Sequence, residues 1–427
     1  MRGALGERGG GGYDGNVSDP RTPVAAASLD ELCDALRARF KDCYGPGAAP
    51  RVFFAPGRVS LFGGHLDYNG GPVMPMALDR GTLVALRPRN DRRVRMASDF
   101  DSKGIEVELD RPPDSPLGRW VDYPLGVLRE MVALAPARGA DGVGSQGLVG
   151  LDIMYGGNLP IGAGLSSSAS MCVATALALD MTWGLGLSGR DRVETALSAE
   201  RNFVGVQCGI MDPFAVGLAR PGHLLWLDCR DVTWEHLPVD MDRLVIAVAN
   251  TGIKRELASG EFNKRVAQCA EAFRVLQPFS PGATCLRDIP LDVVQAEIGR
   301  LDPVVAKRAT HVAEEVLRVF EARALMVAGE FAKAGATMTQ THRSLRENYE
   351  VSCPELNLFV EAATAQEACY GSRLTGAGFG GCTVILLDAD GADEAISEMS
   401  KRVEQELGRV PSIECFGGDE GPRELFA

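Results

Sequence analysis

The sequence predicts a mixed α/β or α+β protein in two lobes, on three observations. The chain has 427 residues, more than one hydrophobic core usually serves. Hydrophobic residues make up 45% and charged residues 24%, an ordinary globular balance. Strand-like and helix-like stretches alternate irregularly, without a strict repeat.

The elements follow in order. The N-terminal "MRGALGERGGGGYDGNVSDPRTP" is rich in glycine and charge and lacks an apolar signal core, so residues 1–26 are expected to form a disordered tail. "SLDELCDALRARFKDCYG" has helical apolar spacing behind a Ser/Asp start. "RVFFAPGRVSLFGG" reads as a strand entering a turn, and "GTLVALRPR" and "RRVRMASDF" as paired strands with "RND" near their turn. "WVDYPLGVLREMVALA" is a helix with one apolar face, and "GLVGLDIMYGGNLP" a strand ending in a loop. "GAGLSSSASMCVATALALDMTWGL" begins as a Gly/Ser loop and becomes an apolar helix. "RDRVETALSAERNFVG" is a further helix, leading to "CGIMDPFAVGLA". "GHLLWLDCR" and "RLVIAVANTG" read as strands, and residues 260–348 as mostly helical. "RLTGAGFGGCTVILLDAD" is a glycine turn before a buried strand, and "ADEAISEMSKRVEQEL" closes as a helix. The lobes are expected at 27–220 and 221–427.

The net charge of −13 argues against non-specific binding to nucleic acid or an anionic membrane. No apolar stretch reaches the length of a membrane span. The eleven cysteines form no CxxC pair, so zinc has no support. Several lie in apolar runs and read as buried thiols in a reducing compartment, with the cytoplasm as the expected location.

Four places carry chemistry. In "NLPIGAGLSSSAS", Gly162 and Gly164 allow tight turns, and Ser166, Ser167 and Ser168 open a helix whose free N–H groups suit an anion such as a triphosphate. One serine would serve as an ordinary helix cap, but three exceed what capping needs. Asp212 lies in the apolar "CGIMDPF", where a carboxylate must find hydrogen bonds, a cation or an upward pKa shift, as general bases often do. An ion pair or a helix cap is the plainer reading of Asp212, and surface charge that of Glu200 and Arg58. In "LFGGHLDYNGG", His65 and Asp67 would point to one side of extended backbone, unless Asp67 only caps its own turn.

Together these stretches resemble the GHMP kinase superfamily and, within it, the galactokinases, from about residue 28 to the end. "PGRVSLFGGHLDYNGG", "LPIGAGLSSSAS" and "LTGAGFGGCTVILL" carry the resemblance, with "RELASGEFNKR" and "NYEVSCPEL" adding detail. It implies a two-lobed GHMP fold of mixed sheets and helices with the active site in the cleft. It implies transfer of the γ-phosphoryl group of ATP to the anomeric C1 hydroxyl of a galactose-type sugar, with Mg2+. The family's phosphate loop falls on Gly162, Gly164, Leu165, Ser166, Ser167, Ser168 and Ala169. Its Mg2+-associated serine and glutamate fall on Ser168 and Glu200, its catalytic aspartate on Asp212 and its catalytic arginine on Arg58. His65, Asp67, Gly64, Gly209 and Phe262 fall on its sugar side. Gly376, Gly378, Gly380 and Gly381 form the third motif, expected to close over the ligand.

The sequence also departs from the family. The opening motif normally reads Gly-Glu-His-Thr-Asp-Tyr-Asn, whereas here the glutamate position is Gly64 and the threonine position Leu66. A sugar-contacting tyrosine is Phe262, and the glutamine after the catalytic aspartate is Pro213. The phosphate end is therefore whole and the sugar end altered, with space expected where the glutamate is lost. Galactose is the expected substrate. Galacturonate and a pentose such as L-arabinose are the alternatives, since the family glutamate holds the 6-hydroxyl. A non-catalytic sugar sensor is disfavoured by the intact serine loop and Asp212. "HLDYNGG" disfavours mevalonate- or homoserine-type acceptors. A monomer is expected, with ATP and a small sugar as its partners.

Overall fold

The computed structural model describes residues 28–101, 103–138, 148–160, 164–253 and 258–426. The expected tail over 1–26 and Gly162 lie outside them. Helix α1 (Leu29–Tyr44) starts at a capping box between Ser28 and Glu31 and covers the first sheet with Cys33, Leu36 and Phe40. That sheet contains β1 (Arg51–Phe62), β2 (Pro72–Pro88), β3 (Arg93–Ser98), β4 (Ile105–Glu108), β5 (Leu151–Gly157), β6 (His223–Asp228) and β7 (Thr233–Pro238). A second sheet contains β8 (Leu244–Asn250), β9 (Cys369–Thr375), β10 (Cys382–Asp388) and β11 (Ser412–Phe416), while β12 (Arg423–Leu425) returns to the first.

The first sheet runs β12-β1-β2-β5-β3-β4, with the β6–β7 hairpin attached to the start of β2. The expected pairing of "GTLVALRPR" with "RRVRMASDF" does not occur. β5 lies between those strands, antiparallel to β2 and parallel to β3. The helix α2 (Asp122–Leu134) sits in the β4-to-β5 connection, and such a crossover can return a strand into the middle of a sheet. The second sheet runs β11-β8-β10-β9, antiparallel throughout.

Helix α3 (Ser167–Trp183) is apolar all round because it is buried all round, against β1, β2, α2 and α4 (Gly189–Ser198). A π-helical turn at Ala199–Val204 continues α4, and α5 (Met211–Gly217) follows. The span read as mostly helical holds α6 (Ala258–Leu276), α7 (Leu291–Glu297), α8 (Pro303–Val327) and α9 (Phe331–Glu347). Helices α10 (Pro354–Thr364) and α11 (Ala392–Leu407) cover the far face of the second sheet. Among the described residues, no helix is long and apolar enough to cross a membrane. Among the described residues no cysteine is joined in a disulfide.

Candidate active site

A cavity of about 920 Å³ opens where the first sheet, the start of α3, the loop before α5 and the second sheet meet. Arg58 enters it from β1, whose pairing to β2 shifts register between Pro56 and Arg58 and so redirects the side chain. Its Nε and Nη2 reach Asp212 Oδ1 at 2.8 and 2.6 Å, and its Nη1 donates to the Gly164 carbonyl at 2.7 Å. Ser166 donates to Asp212 Oδ2 at 2.5 Å. Asp212 thus meets its desolvation with a cation and a hydroxyl, while its side chain stays 27% exposed toward the cavity.

Ser166 sits at the helix start in the left-handed region, at φ 60°, and caps nothing with its side chain. This removes the plainer reading of that serine, because its hydroxyl is committed to Asp212. Pro213 falls in the first turn of α5, where the missing N–H would have had no helical partner, so the substitution leaves the helix intact.

The opening motif is a turn, not extended backbone. His65 has φ 60°, and Asp67–Asn69 form one turn of 3-10 helix. Both His65 and Asp67 still line the cavity. The backbone N–H groups of Tyr68 and Asp67 lie toward the Asp67 carboxylate and partly offset the cost of its burial. Burial and the charge of Asp212 push its carboxyl up to about 6. Gly209 allows this placement, since a Cβ there would lie 1.7 Å from Asp67 Oδ2. Phe262 packs across the rings of Tyr68 and His65, with centroids 5.2 and 6.0 Å away.

Gly64 leaves less room than its sequence position implies. A Cβ would stand 3.0 Å from Arg373 Nη1 and 3.2 Å from Leu345 Cδ1. The guanidinium of Arg373 has taken the expected space. It is 2% exposed and donates to Leu61 O, Leu374 O, Ser60 O and Ser60 Oγ. The Gly64 backbone is gripped from α8, with its N–H on the buried Glu315 carboxylate and its carbonyl on His311 Nε2. Arg373, Glu315 and His311 escaped the sequence reading. Their signal was faint: "RATHVAEEV" places Arg308, His311 and Glu315 along one face of α8, where apolar residues belong.

On the phosphate side, Gly164, Ser166, Ser167 and Ser168 line the cavity. Leu165 and Ala169 do not, because their side chains are packed in the core. Glu200 is buried on the π-helical turn behind the cavity wall, beside Ser168; its Oε2 accepts from Cys208 Sγ at 3.4 Å and its Oε1 has no partner. Burial pushes its carboxyl up to about 7. Of the third motif, Gly376 lines the cavity with its neighbour Ala377, while Gly378, Gly380 and Gly381 turn the chain behind it into β10.

Ser167 and Ser168 also line a second cavity of about 410 Å³, walled by Phe100, Trp120 and Tyr123. The Trp120 Nε1 there has no hydrogen-bond partner. The sequence reading missed this aromatic recess, because "SDF" and "RWVDY" are distant in the chain and no spacing joins them.

Comparison with known proteins gives the family of this chain. A galactokinase galactose-binding signature matches residues 38–88, a GHMP kinase N-terminal domain 126–220 and a GHMP kinase C-terminal domain 322–405. The chain is 38% identical over 388 residues to a galactokinase of Roseiflexus sp. (strain RS-1), covering 90% of this chain and 95% of that one. It is 36% identical over 391 residues to the Homo sapiens galactokinase, covering 89% and 93%. The crystal structure of Lactococcus lactis galactokinase complexed with galactose superposes with a TM-score of 0.85 at 31% identity, covering 92% and 99%. A Methanococcus jannaschii mevalonate kinase shares the fold at a TM-score of 0.62 and 16% identity.

Proposed function

The chain belongs to the galactokinase family of GHMP kinases, which are sugar-kinase phosphotransferases, and on that premise we propose that it moves the γ-phosphoryl group of ATP to the C1 hydroxyl of galactose. One observation carries the reading. Asp212, locked by Arg58 and Ser166, faces the same cavity as His65 and Asp67, with the serine loop on its other flank. A sugar held by Asp67 and His65 presents its anomeric hydroxyl to Asp212. Asp212 orients that hydroxyl and takes its proton, and Arg58 offsets the charge that develops. Positioning and charge supply most of the catalysis in phosphoryl transfer.

The nucleoside belongs in the aromatic recess beside Ser167 and Ser168, with its phosphates passing the start of α3 toward Asp212. The residues present fit Mg2+. Glu200 Oε1 is buried and unpartnered beside the Ser168 hydroxyl. Among the described residues, no group of three His, Cys, Asp or Glu side chains could hold an ion, so phosphate oxygens must complete the set. When bound, Mg2+ neutralises phosphate charge. Ser168 and Glu200 would hold the ion, while Ser166 keeps Asp212 oriented.

The two-lobe division at residue 220 is likewise our assignment, with β6, β7 and β12 crossing it to join the first sheet. Thiols without a disulfide among them support a reducing compartment such as the cytoplasm. A second reading has its own observation. Arg373 Nη1 stands at the cavity wall beside Gly64, and the carboxylate whose charge acts on it, the buried Glu315, is itself held by Arg318 and Thr341. A sugar acid such as galacturonate would supply a second.

The test is ATP consumption across galactose, galacturonate, L-arabinose, glucuronate and N-acetylgalactosamine, with the phosphorylated carbon identified by 31P-coupled NMR. Turnover of galactose at C1 is expected. Turnover with none of them, or phosphorylation at another carbon, would overturn the proposal.

A further inference from the structure

His65 is 7% exposed, and its ring lies against Tyr349, with centroids 4.9 Å apart. Its Nδ1 meets the Tyr68 hydroxyl at 2.9 Å. That hydroxyl meets the Tyr349 hydroxyl at 2.7 Å, which meets Cys269 Sγ at 3.0 Å. At the other end of the file, His65 Nε2 is buried and has no hydrogen-bond partner. His65, Tyr68 and Ala377 all line the large cavity, whereas Tyr349 and Cys269 lie behind it.

Each hydroxyl has one proton, so the file has two self-consistent directions. In one, Cys269 donates to Tyr349, Tyr349 to Tyr68 and Tyr68 to Nδ1, leaving the ring proton on Nε2. In the other, every bond is reversed and Nε2 carries a lone pair. Two surroundings select the first. The Ala377 carbonyl faces the ring, where an N–H is attracted and a lone pair repelled. The reversed file would end on sulfur, a weak acceptor. Burial also pushes the Cys269 thiol up to about 11, so it keeps the proton it donates.

We propose that Tyr68 and Tyr349, with Cys269 behind them, are positioning residues that fix His65 as the Nε2–H tautomer, so that the ring turns a proton and not a lone pair toward the Ala377 side of this wall and offers no acceptor there. Gly64 adds no side-chain acceptor beside His65. A ligand group at this wall therefore meets no acceptor on His65, and an oxygen that only accepts is favoured there over one that must donate. The proposal rests on the sugar-kinase reading only for the identity of that acceptor.

The tautomer can be read in the ligand-free full-length protein, which contains five histidines, by long-range 1H–15N correlation after 15N-histidine labelling. His65 would be assigned with His65→Gln. The expected pattern is an unprotonated Nδ1 and a protonated Nε2 between pH 6 and 8. Tyr68→Phe should move both nitrogens toward intermediate shifts. It should also raise the sugar KM about tenfold, the worth of one directed hydrogen bond, with the ATP KM unchanged. Tyr349→Phe should move the nitrogens the same way by less. A protonated Nδ1 in the unmodified protein would overturn the proposal whether or not the enzyme turns over sugar. Unchanged nitrogen shifts in Tyr68→Phe would do the same. If the variants fail to fold, the unmodified protein's spectrum decides. An Nε2–H tautomer without sugar turnover would count against the sugar-kinase reading and leave the tautomer assignment standing.

Discussion

Asp67 and Asp212 face one cavity, and the charge of Asp212 adds to burial in raising the cost of charging Asp67. Asp212 has Arg58 and Ser166 as partners, whereas Asp67 takes most of the strain, with its carboxyl near 6. As pH falls through about 6, Asp67 gains a proton and ceases to be a full acceptor, so the sugar KM should rise below that pH. The effect on stability has the opposite sense. A carboxyl raised by folding favours the fold below its ordinary range near 4 and loses that advantage as pH rises through 6. Asp67→Asn should therefore raise the melting temperature more at pH 8 than at pH 5, by about 1 kcal/mol of stability, while impairing sugar binding. An equal effect at both pH values would contradict the strain. Asp212→Asn should lower turnover about 10³-fold with nucleotide affinity within a few fold, read by calorimetry. Full activity would remove Asp212 from the mechanism.

At the scale of elements, the site is built where regular structure is interrupted. β1 breaks register at Arg58, α3 starts from a left-handed serine, and a π-helical turn carries Glu200. The loop before α5 approaches the opening motif so closely that only glycine fits at 209. Gly209→Ala should displace the Asp67 carboxylate and raise the sugar KM at least about tenfold, with the ATP KM unchanged. A parallel rise in both constants would point to general misfolding of the cavity. Ser168→Ala should raise the Mg2+ concentration needed for half-maximal rate, and an unchanged titration would count against that residue. Most elements were legible as apolar runs and helical spacing, since α1, β1, α3 and β10 lie where the pattern puts them. The pairing of β2 with β5 was not, because strand partners are chosen by packing across the sheet and not by nearness in sequence.

Across the whole molecule, Arg373 ties the second sheet to the first. From β9 it donates to two backbone carbonyls of β1, beneath the loop that Glu315 and His311 hold from α8. Arg373→Met would remove the guanidinium donors from both buried carbonyls and leave Ser60 O only the long bond from Thr375 Oγ1, at a cost of roughly 3 kcal/mol, and should lower the melting temperature by several degrees. An unchanged melting temperature would show that the sheets are held by their apolar contacts alone.

The sequence alone named the residues we assign to the kinase machinery: the serine loop, Arg58, Asp212, Asp67 and His65 were all read from motifs, and of the described loop residues all but Leu165 and Ala169 line the cavity. Motifs are readable because local backbone demands, such as a glycine turn or a helix start, restrict which residues can stand there. Tertiary structure alone decided what surrounds them. Arg373 fills the space that Gly64 was expected to open, and Tyr349 and Cys269 reach His65 from more than two hundred residues away. Phe100 and Trp120 meet across a recess that no spacing announces. Such groups are chosen by burial, which rewards any side chain that satisfies a neighbour and leaves no periodic trace in the chain.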